Sequence, residues 1–279
     1  MERLMNNINY NLIKKLRELT GAGILDCNKA LIKSNWDIKI AINNMRISGK
    51  IKILKKLNRI TNEGIILAET SKNNKYGVII ELNCETDFVS RNNLFKKFGK
   101  KVVNTALNEL KNKKLININI LKEKLKKDRL NLISQIGENI NIRRFGVLHG
   151  DFLQIYLHRS RIGVLFSSNK IRNKITKYLA MHIASNNPKY INVDDIPIDI
   201  LNNEYEIQLN IINKSSKDIK SDKIIKKIIK GRMCKFINNI VLINQFFIMD
   251  TNKTVGQILN KHNIIINDFI RFELGEEIN

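Results

Sequence analysis

The chain is 279 residues long, carries a formal net charge of +23 and is 43% apolar, so it can bury a sizeable core in one large domain or in two to three small ones. It has no unbroken apolar run near the roughly 20 residues of a membrane helix, and Met1-Glu2-Arg3-Leu4-Met5-Asn6 lacks the apolar stretch of a signal peptide, so a soluble cytoplasmic protein is expected. Cys27, Cys84 and Cys234 form no C-x-x-C pair, and His149, His158, His182 and His262 are as dispersed; reduced thiols are expected, with no disulfide framework, metal site or cofactor.

The basic excess is spread over the whole sequence. Lysine, isoleucine and asparagine are over-used on helices, strands and turns alike, as codon bias in an AT-rich genome produces. A nucleic-acid footprint forms a patch, interleaved with aromatics where single strands are read. Lys122-Glu123-Lys124-Leu125-Lys126-Lys127 mixes both signs instead and reads as a solvated helix face.

In chain order, Leu12, Ile13, Leu16 and Leu19 recur at helical spacing until Thr20-Gly21-Ala22-Gly23. A second helix fits Asp26 to Lys33. A third, capped by Asp37, sets Ile38, Ala41, Ile42 and Met45 on one face before Gly49. Three short helices with one apolar face each must pack as a bundle. A basic helical connector spans about Lys50 to Asn62, and strands follow at Gly64–Thr70 and Tyr76–Leu82, joined by the turn Lys72-Asn73-Asn74-Lys75.

Next comes a helix with Phe95, Phe98, Val102, Val103 and Ala106 on one side, then strands at Asn139–Leu148, Asp151–Leu157 and Ile162–Ser167. A weak repeat is visible: Tyr76–Ile80 plus the helix from Phe95 resembles Arg161–Phe166 plus the helix from Ile175. Two such strand-and-helix halves predict an α+β core. From Pro188 the steps Leu201, Tyr205, Gln208, Ile212 and Ile225, Ile229, Met233, Phe236 predict an antiparallel helical hairpin turning at Lys214-Ser215-Ser216-Lys217. Strand-like runs at Val241–Met249 and Phe269–Leu274, with a helix near Val255–His262, complete the sequence.

The second half has no counterpart of Thr86-Asp87-Phe88-Val89, which lies where an apolar strand meets a helix. An acid beside a large aromatic at such a join has two readings: a helix N-terminal acid with a core plug, or a wedge presented to another protein. No G-x-x-x-x-G-K-[ST] loop and no G-x-G-x-x-G opening a helix occurs, so the chain is not expected to bind nucleotide itself. No Ser-His-Asp or paired-carboxylate constellation suggests an enzyme.

Several stretches resemble the bacterial elongation factor Ts family: Leu16-Arg17-Glu18-Leu19-Thr20-Gly21-Ala22-Gly23-Ile24-Leu25, Glu81-Leu82-Asn83-Cys84-Glu85-Thr86-Asp87-Phe88-Val89, Ile136-Gly137-Glu138-Asn139 and Ala180-Met181-His182-Ile183-Ala184, with later matches through Gly231-Arg232-Met233 and Phe269-Ile270-Arg271-Phe272-Glu273. The resemblance implies an α+β fold built from an N-terminal three-helix, ubiquitin-associated-like module, a two-subdomain core with a pseudo-repeat, and an antiparallel coiled-coil hairpin. The boundaries expected are 1–56 for the module, 57–146 for core subdomain N, 147–187 and 237–279 for core subdomain C, and 188–236 for the hairpin.

It also implies a guanine-nucleotide exchange factor for the GTPase elongation factor Tu, acting without covalent chemistry, cofactor or membrane. Thr86, Asp87, Phe88 and Val89 would dislodge the partner's magnesium. Arg17, Ile24, Leu25, His158, Ile248 and Met249 would supply further partner contacts, the first three gripping the nucleotide-binding domain. Two departures stand out: Trp36 replaces a glycine common in a short turn, and the sequence stops at Asn279, where many relatives continue with a further helix, which suggests a reduced contact surface. The rival expectation is a basic RNA- or ribosome-binding module without exchange activity.

Overall fold

The structure, a computed structural model, describes residues 2–20, 22–45, 56–112, 116–171, 173–215 and 222–278. Gly49 and residues 50–55 of the expected basic connector lie outside these residues, as does part of the turn expected at Lys214–Lys217. The fold mixes helices and sheets, as the α+β expectation holds. The chain forms two compact units: Met1–Leu67 with Ile80–Phe145 and Leu274–Asn279, and Ala68–Ile79 with Gly146–Glu273.

In the first unit, α1 (Glu2–Thr20), α2 (Ile24–Lys33) and the described part of α3 (38–45) enclose the fully buried Leu16, Cys27, Leu31 and Ala41. Asp37 caps α3 by accepting the Ile40 N–H at 3.0 Å. Between α2 and α3 the chain reverses through Asn35 (φ 49) and Trp36 (φ 64), with the Trp36 N–H on the Leu31 carbonyl at 2.8 Å. A left-handed residue with a Cβ costs about 1–2 kcal/mol. The indole packs on the bundle core and offsets that cost, so a tryptophan holds a turn for which glycine is the unstrained choice.

The first sheet has the order β1 (Glu63–Thr70), β2 (Tyr76–Cys84), β3 (Asn141–His149). Between β2 and β3 run α4 (Asp87–Arg91), α5 (Asn93–Lys111), α6 (Ile118–Lys124) and α7 (Lys126–Ile136). Helix α5 buries Phe95, Phe98, Val102, Val103, Ala106 and Leu110, the face its periodicity predicts. The 122–127 segment is not one solvated helix face: Leu125, between α6 and α7, departs from helical backbone and is buried, while Lys124 pairs with Glu109 at 2.6 Å.

Glu81, on β2, is wholly buried, which a carboxylate tolerates only when paired and hydrogen-bonded. Arg143 meets it at 3.1 Å and Arg144 at 2.6 Å; the Asn83 amide and the Gly275 N–H each donate to it at 3.1 Å.

In the second unit, β4 (Phe152–His158), β5 (Ile162–Ser168) and β8 (Ile266–Glu273) form an antiparallel sheet in that order. Helix α8 (Lys174–Asn186), opened by an Asn173/Thr176 capping box, packs on β4 and β5. The core joins Val164, Phe166, Leu179 and Ile183 to Leu242, Phe247, Val255 and Ile258. Helices α9 (Ile198–Ser215) and α10 (Asp222–Ile240) lie against each other, with Arg232 donating to Gln208 at 3.1 Å.

The run Val241–Met249, expected as a strand, is one only at β6 (Phe246–Phe247), which pairs with β7 (Asp250–Thr254); Leu242–Asn244 form a 3-10 turn. The run is rich in apolar residues because Leu242 and Phe247, on either side of Asn244-Gln245, enter the core around α8 and α11 (Val255–His262). The weak repeat corresponds to a shared order: in each sheet the second strand leads to a helix and the third strand lies beside the second. Helix α4 interrupts this pattern between β2 and α5 and has no equivalent between β5 and α8. No helix among the described residues is long and apolar enough to cross a membrane.

Glu81→Ala leaves two arginines, an amide and a backbone N–H without their common acceptor. It is expected to cost about 3–5 kcal/mol, read as a lowered denaturant midpoint; a loss below about 1 kcal/mol would show that the site relaxes or hydrates at little cost.

Candidate functional site

The end of β2 is tied to the turn after α7 by a reciprocal exchange between two carboxylates and three backbone amides. Helix α7 stops at Gly137 in the left-handed region (φ 92), which turns the chain so that Glu138 points back. Glu138 Oε2 accepts the N–H groups of Glu85 at 3.1 Å and Thr86 at 3.0 Å, and its Oε1 accepts the Thr86 hydroxyl at 2.7 Å. In return, Glu85 Oε1 accepts the Asn139 N–H at 2.6 Å, while its other oxygen lies 3.3 Å from Arg59. Asn139 extends the tie by donating to the carbonyls of Leu57 and Arg59 at 3.0 and 2.9 Å.

Thr86 is thereby fixed as the N-cap of α4, with extended backbone (φ −126, ψ 158). Its hydroxyl is occupied by Glu138, so the first turn is closed by Ser90, whose N–H reaches the Thr86 carbonyl at 3.3 Å and whose Oγ donates to the Asp87 carbonyl at 2.7 Å. Within this turn Val89 is buried, at 8% exposure, and Phe88 is 80% exposed. Consecutive helical residues point about 100° apart, so the residue that anchors the turn throws its neighbour outward.

Asp87, half exposed, accepts from Arg91 at 2.9 Å. That pair lies in solvent and is worth little, so the carboxylate is readily exchanged to another cation. Of the two readings of the Asp87-Phe88 pair, the core plug is excluded for Phe88 by its exposure. Asp87 does sit in the first turn of α4, where the helix dipole favours an acid.

Cys84 lies beneath this segment and donates its thiol hydrogen to the Thr86 carbonyl at 3.1 Å. Burial raises its pKa to about 12, and the Glu138 and Glu63 carboxylates add to the rise. Cys27 is buried in the helical bundle, and Cys234 on α10 is exposed.

On the helical bundle, Arg17, Ile24 and Leu25 are all exposed; Ile24 at 53% and Leu25 at 73% are not bundle core. In the second unit, His158 is exposed at the end of β4, its Nδ1 3.2 Å from the Tyr156 hydroxyl. The adjoining turn holds Arg159 (φ 50) and Ser160 (φ 56) in left-handed conformation. Ile248 and Met249 form the two-residue tip between β6 and β7, with Ile248 half-buried and Met249 exposed. Phe246 beside them is 64% exposed.

Sequence reasoning assigned no role to Glu85, Glu138, Asn139 or Phe246. For Glu138 the available signal was a glycine followed by an acid at a helix end; for Phe246 it was only proximity to Ile248.

Comparison with known proteins places the chain among the elongation factors of protein synthesis. A family model described as Elongation factor TS matches residues 85–276, from the first residue of the Glu85–Glu138 exchange to the acid that meets Arg144 at 3.5 Å. Over 279 residues, covering 100% of both chains, the sequence is 50% identical to the Elongation factor Ts of Blochmanniella pennsylvanica (strain BPEN). It is 48% identical to that of Sodalis glossinidius (strain morsitans) over 98% of this chain and 94% of the relative, and 49% identical to that of Yersinia pestis (strain Pestoides F) over 96% and 91%. The chain belongs to the elongation factor Ts family.

The thiols provide a direct check of the packing under α4. At pH 8 a pKa of about 12 leaves roughly one Cys84 thiolate in 10⁴, so a disulfide reagent should modify Cys234 promptly and Cys84 and Cys27 only on unfolding. Prompt native-state modification of Cys84 would contradict the described burial.

Proposed function

We propose that this chain is a guanine-nucleotide exchange factor for elongation factor Tu, acting in the cytoplasm through a protein interface and without covalent chemistry. A GTPase holds nucleotide through a phosphate-cradling loop and a bound magnesium. With affinity of roughly nanomolar order and association near 10⁶ M⁻¹s⁻¹, unaided release runs at about 10⁻³ per second, too slow for protein synthesis. An exchanger must weaken the phosphate and magnesium contacts in particular.

The observation that carries this reading is the outward Phe88 on a turn immobilised from both sides, by Val89 within the core and by Glu138 at Thr86. A phenyl ring is rigid and costs little entropy to insert, so it can act as a wedge between packed elements of the GTPase. Asp87 would leave Arg91 to compete for donors around the magnesium water shell. Thr86 and Val89 set the direction of both. Arg17, Ile24 and Leu25 on the helical bundle, and His158, Ile248 and Met249 in the second unit, would add grip without entering the nucleotide site. Coupling is reciprocal: to whatever factor the exchanger weakens nucleotide binding, nucleotide weakens the exchanger's hold, and incoming GTP can expel it.

Phe88→Ala removes the wedge from an exposed position. The expected result is a fall of about 10- to 100-fold in the catalysed release of labelled GDP, with stability changed by less than about 0.5 kcal/mol. Glu138→Ala should slow exchange with Phe88 still in place, because the turn that aims the ring loses three donors' common acceptor. A folded Phe88→Ala protein with unaltered exchange would refute the wedge. Steeply salt-dependent RNA binding, indifferent to Phe88 and accompanied by no exchange, would support the RNA-binding reading instead.

A further inference from the structure

His182, on the inner face of α8, is wholly buried and yet uses both ring nitrogens. The Ile248 backbone N–H donates to Nδ1 at 3.3 Å, so Nδ1 is unprotonated. Nε2 therefore carries the hydrogen and donates to Gln245 Oε1 at 2.9 Å. Gln245 is oriented for this by its side-chain NH2, which donates to the Asn239 carbonyl at 2.6 Å, and by its backbone carbonyl, which accepts the Val255 N–H at 2.9 Å. The ring also lies 6.0 Å from that of Phe247, inclined at 33°. Burial lowers the imidazole's pKa below its ordinary value, opposed in part by the Gln245 bond, so the neutral form is the one stored.

Ile248 is the first residue of the tip between β6 and β7. β6 is two residues long, and a hairpin so short has marginal stability by itself in water. Its tip is held from below by the imidazole, while Phe246 and Met249 face solvent, 64% and 45% exposed.

We propose that His182 is the positioning residue of the Phe246–Met249 edge: as the neutral Nε2–H tautomer it accepts the Ile248 N–H and holds the edge in the shape that receives the partner GTPase. This rests on the reading of Ile248 and Met249 as partner contacts. The role is specific to one nitrogen, which separates it from simple core filling.

The test is steady-state exchange on the full chain, with the partner's GDP complex as the varied substrate. His182→Phe keeps a ring and loses both bonds; His182→Gln places its amide near the Nε2 position; His182→Asn restores an acceptor near Nδ1. The expected pattern is a KM about tenfold higher for Phe and Gln with kcat little changed, and a KM near the parent's for Asn. Nitrogen NMR of the unsubstituted protein should give the Nε2–H tautomer, and the Ile248 amide should exchange slowly in the parent and Asn proteins and fast in Gln.

Equal KM values for Asn and Gln, or an Nδ1–H tautomer, would overturn the proposal, and the Asn/Gln pair and the spectrum decide it even where Phe does not fold. Met249→Ala separates the two readings. A raised KM there with normal KM in the folded His182→Gln protein overturns only the positioning role, whereas an unchanged KM in Met249→Ala removes the contact surface and the role together.

Discussion

A backbone amide at a strand end must find an acceptor or water, and at the end of β2 that requirement shapes the mount of Phe88, 80% exposed. The N–H groups of Glu85 and Thr86 converge on Glu138, and Glu85 answers by accepting from Asn139. Charge-assisted bonds of this kind are about twice as strong as neutral ones, and here they form a closed exchange between two loops. It fixes the capping residue of α4, and the short helix that follows, ended by the extended Asn92, carries Val89 into the core and Phe88 out of it.

The second unit solves a similar problem with neutral groups. The tip at Ile248–Met249 is tied to α8 by an imidazole instead of a carboxylate. In both units an exposed aromatic sits beside a buried neighbour of its own short element, Phe88 beside Val89 and Phe246 beside Phe247. Alternation between anchor and exposed ring is cheap in sequence terms, since one deeply buried residue suffices to orient the next.

What could be read from the sequence was what depends on local periodicity and chemistry. The apolar face of α5, the apolar faces of the N-terminal helices and the Asp37 cap follow from spacing within about twenty residues, and the lack of an α4 equivalent in the second half from setting the two half-repeats side by side. Ties between distant residues were not legible: Glu138 is 52 residues from Thr86, and His182 is 66 from Ile248. The Val241–Met249 run misled because a largely apolar composition signals burial, and burial around α8 and α11 produces it with only a two-residue strand. Trp36 was visible as an anomaly, but the ring packing that offsets its left-handed backbone belongs to tertiary structure.

The Gly275 N–H that completes the coordination of Glu81 lies 194 residues further along the chain. At a ribosome's pace of about 5–20 residues per second, that interval lasts roughly ten to forty seconds. Throughout it the nascent first unit has its β2 carboxylate but lacks one of that carboxylate's donors, and Arg144 lacks Glu276. A member of this family thus depends on residues made long after β2 to seal an ionic centre laid down early, so full cooperativity of the first unit waits on synthesis of Gly275 and Glu276.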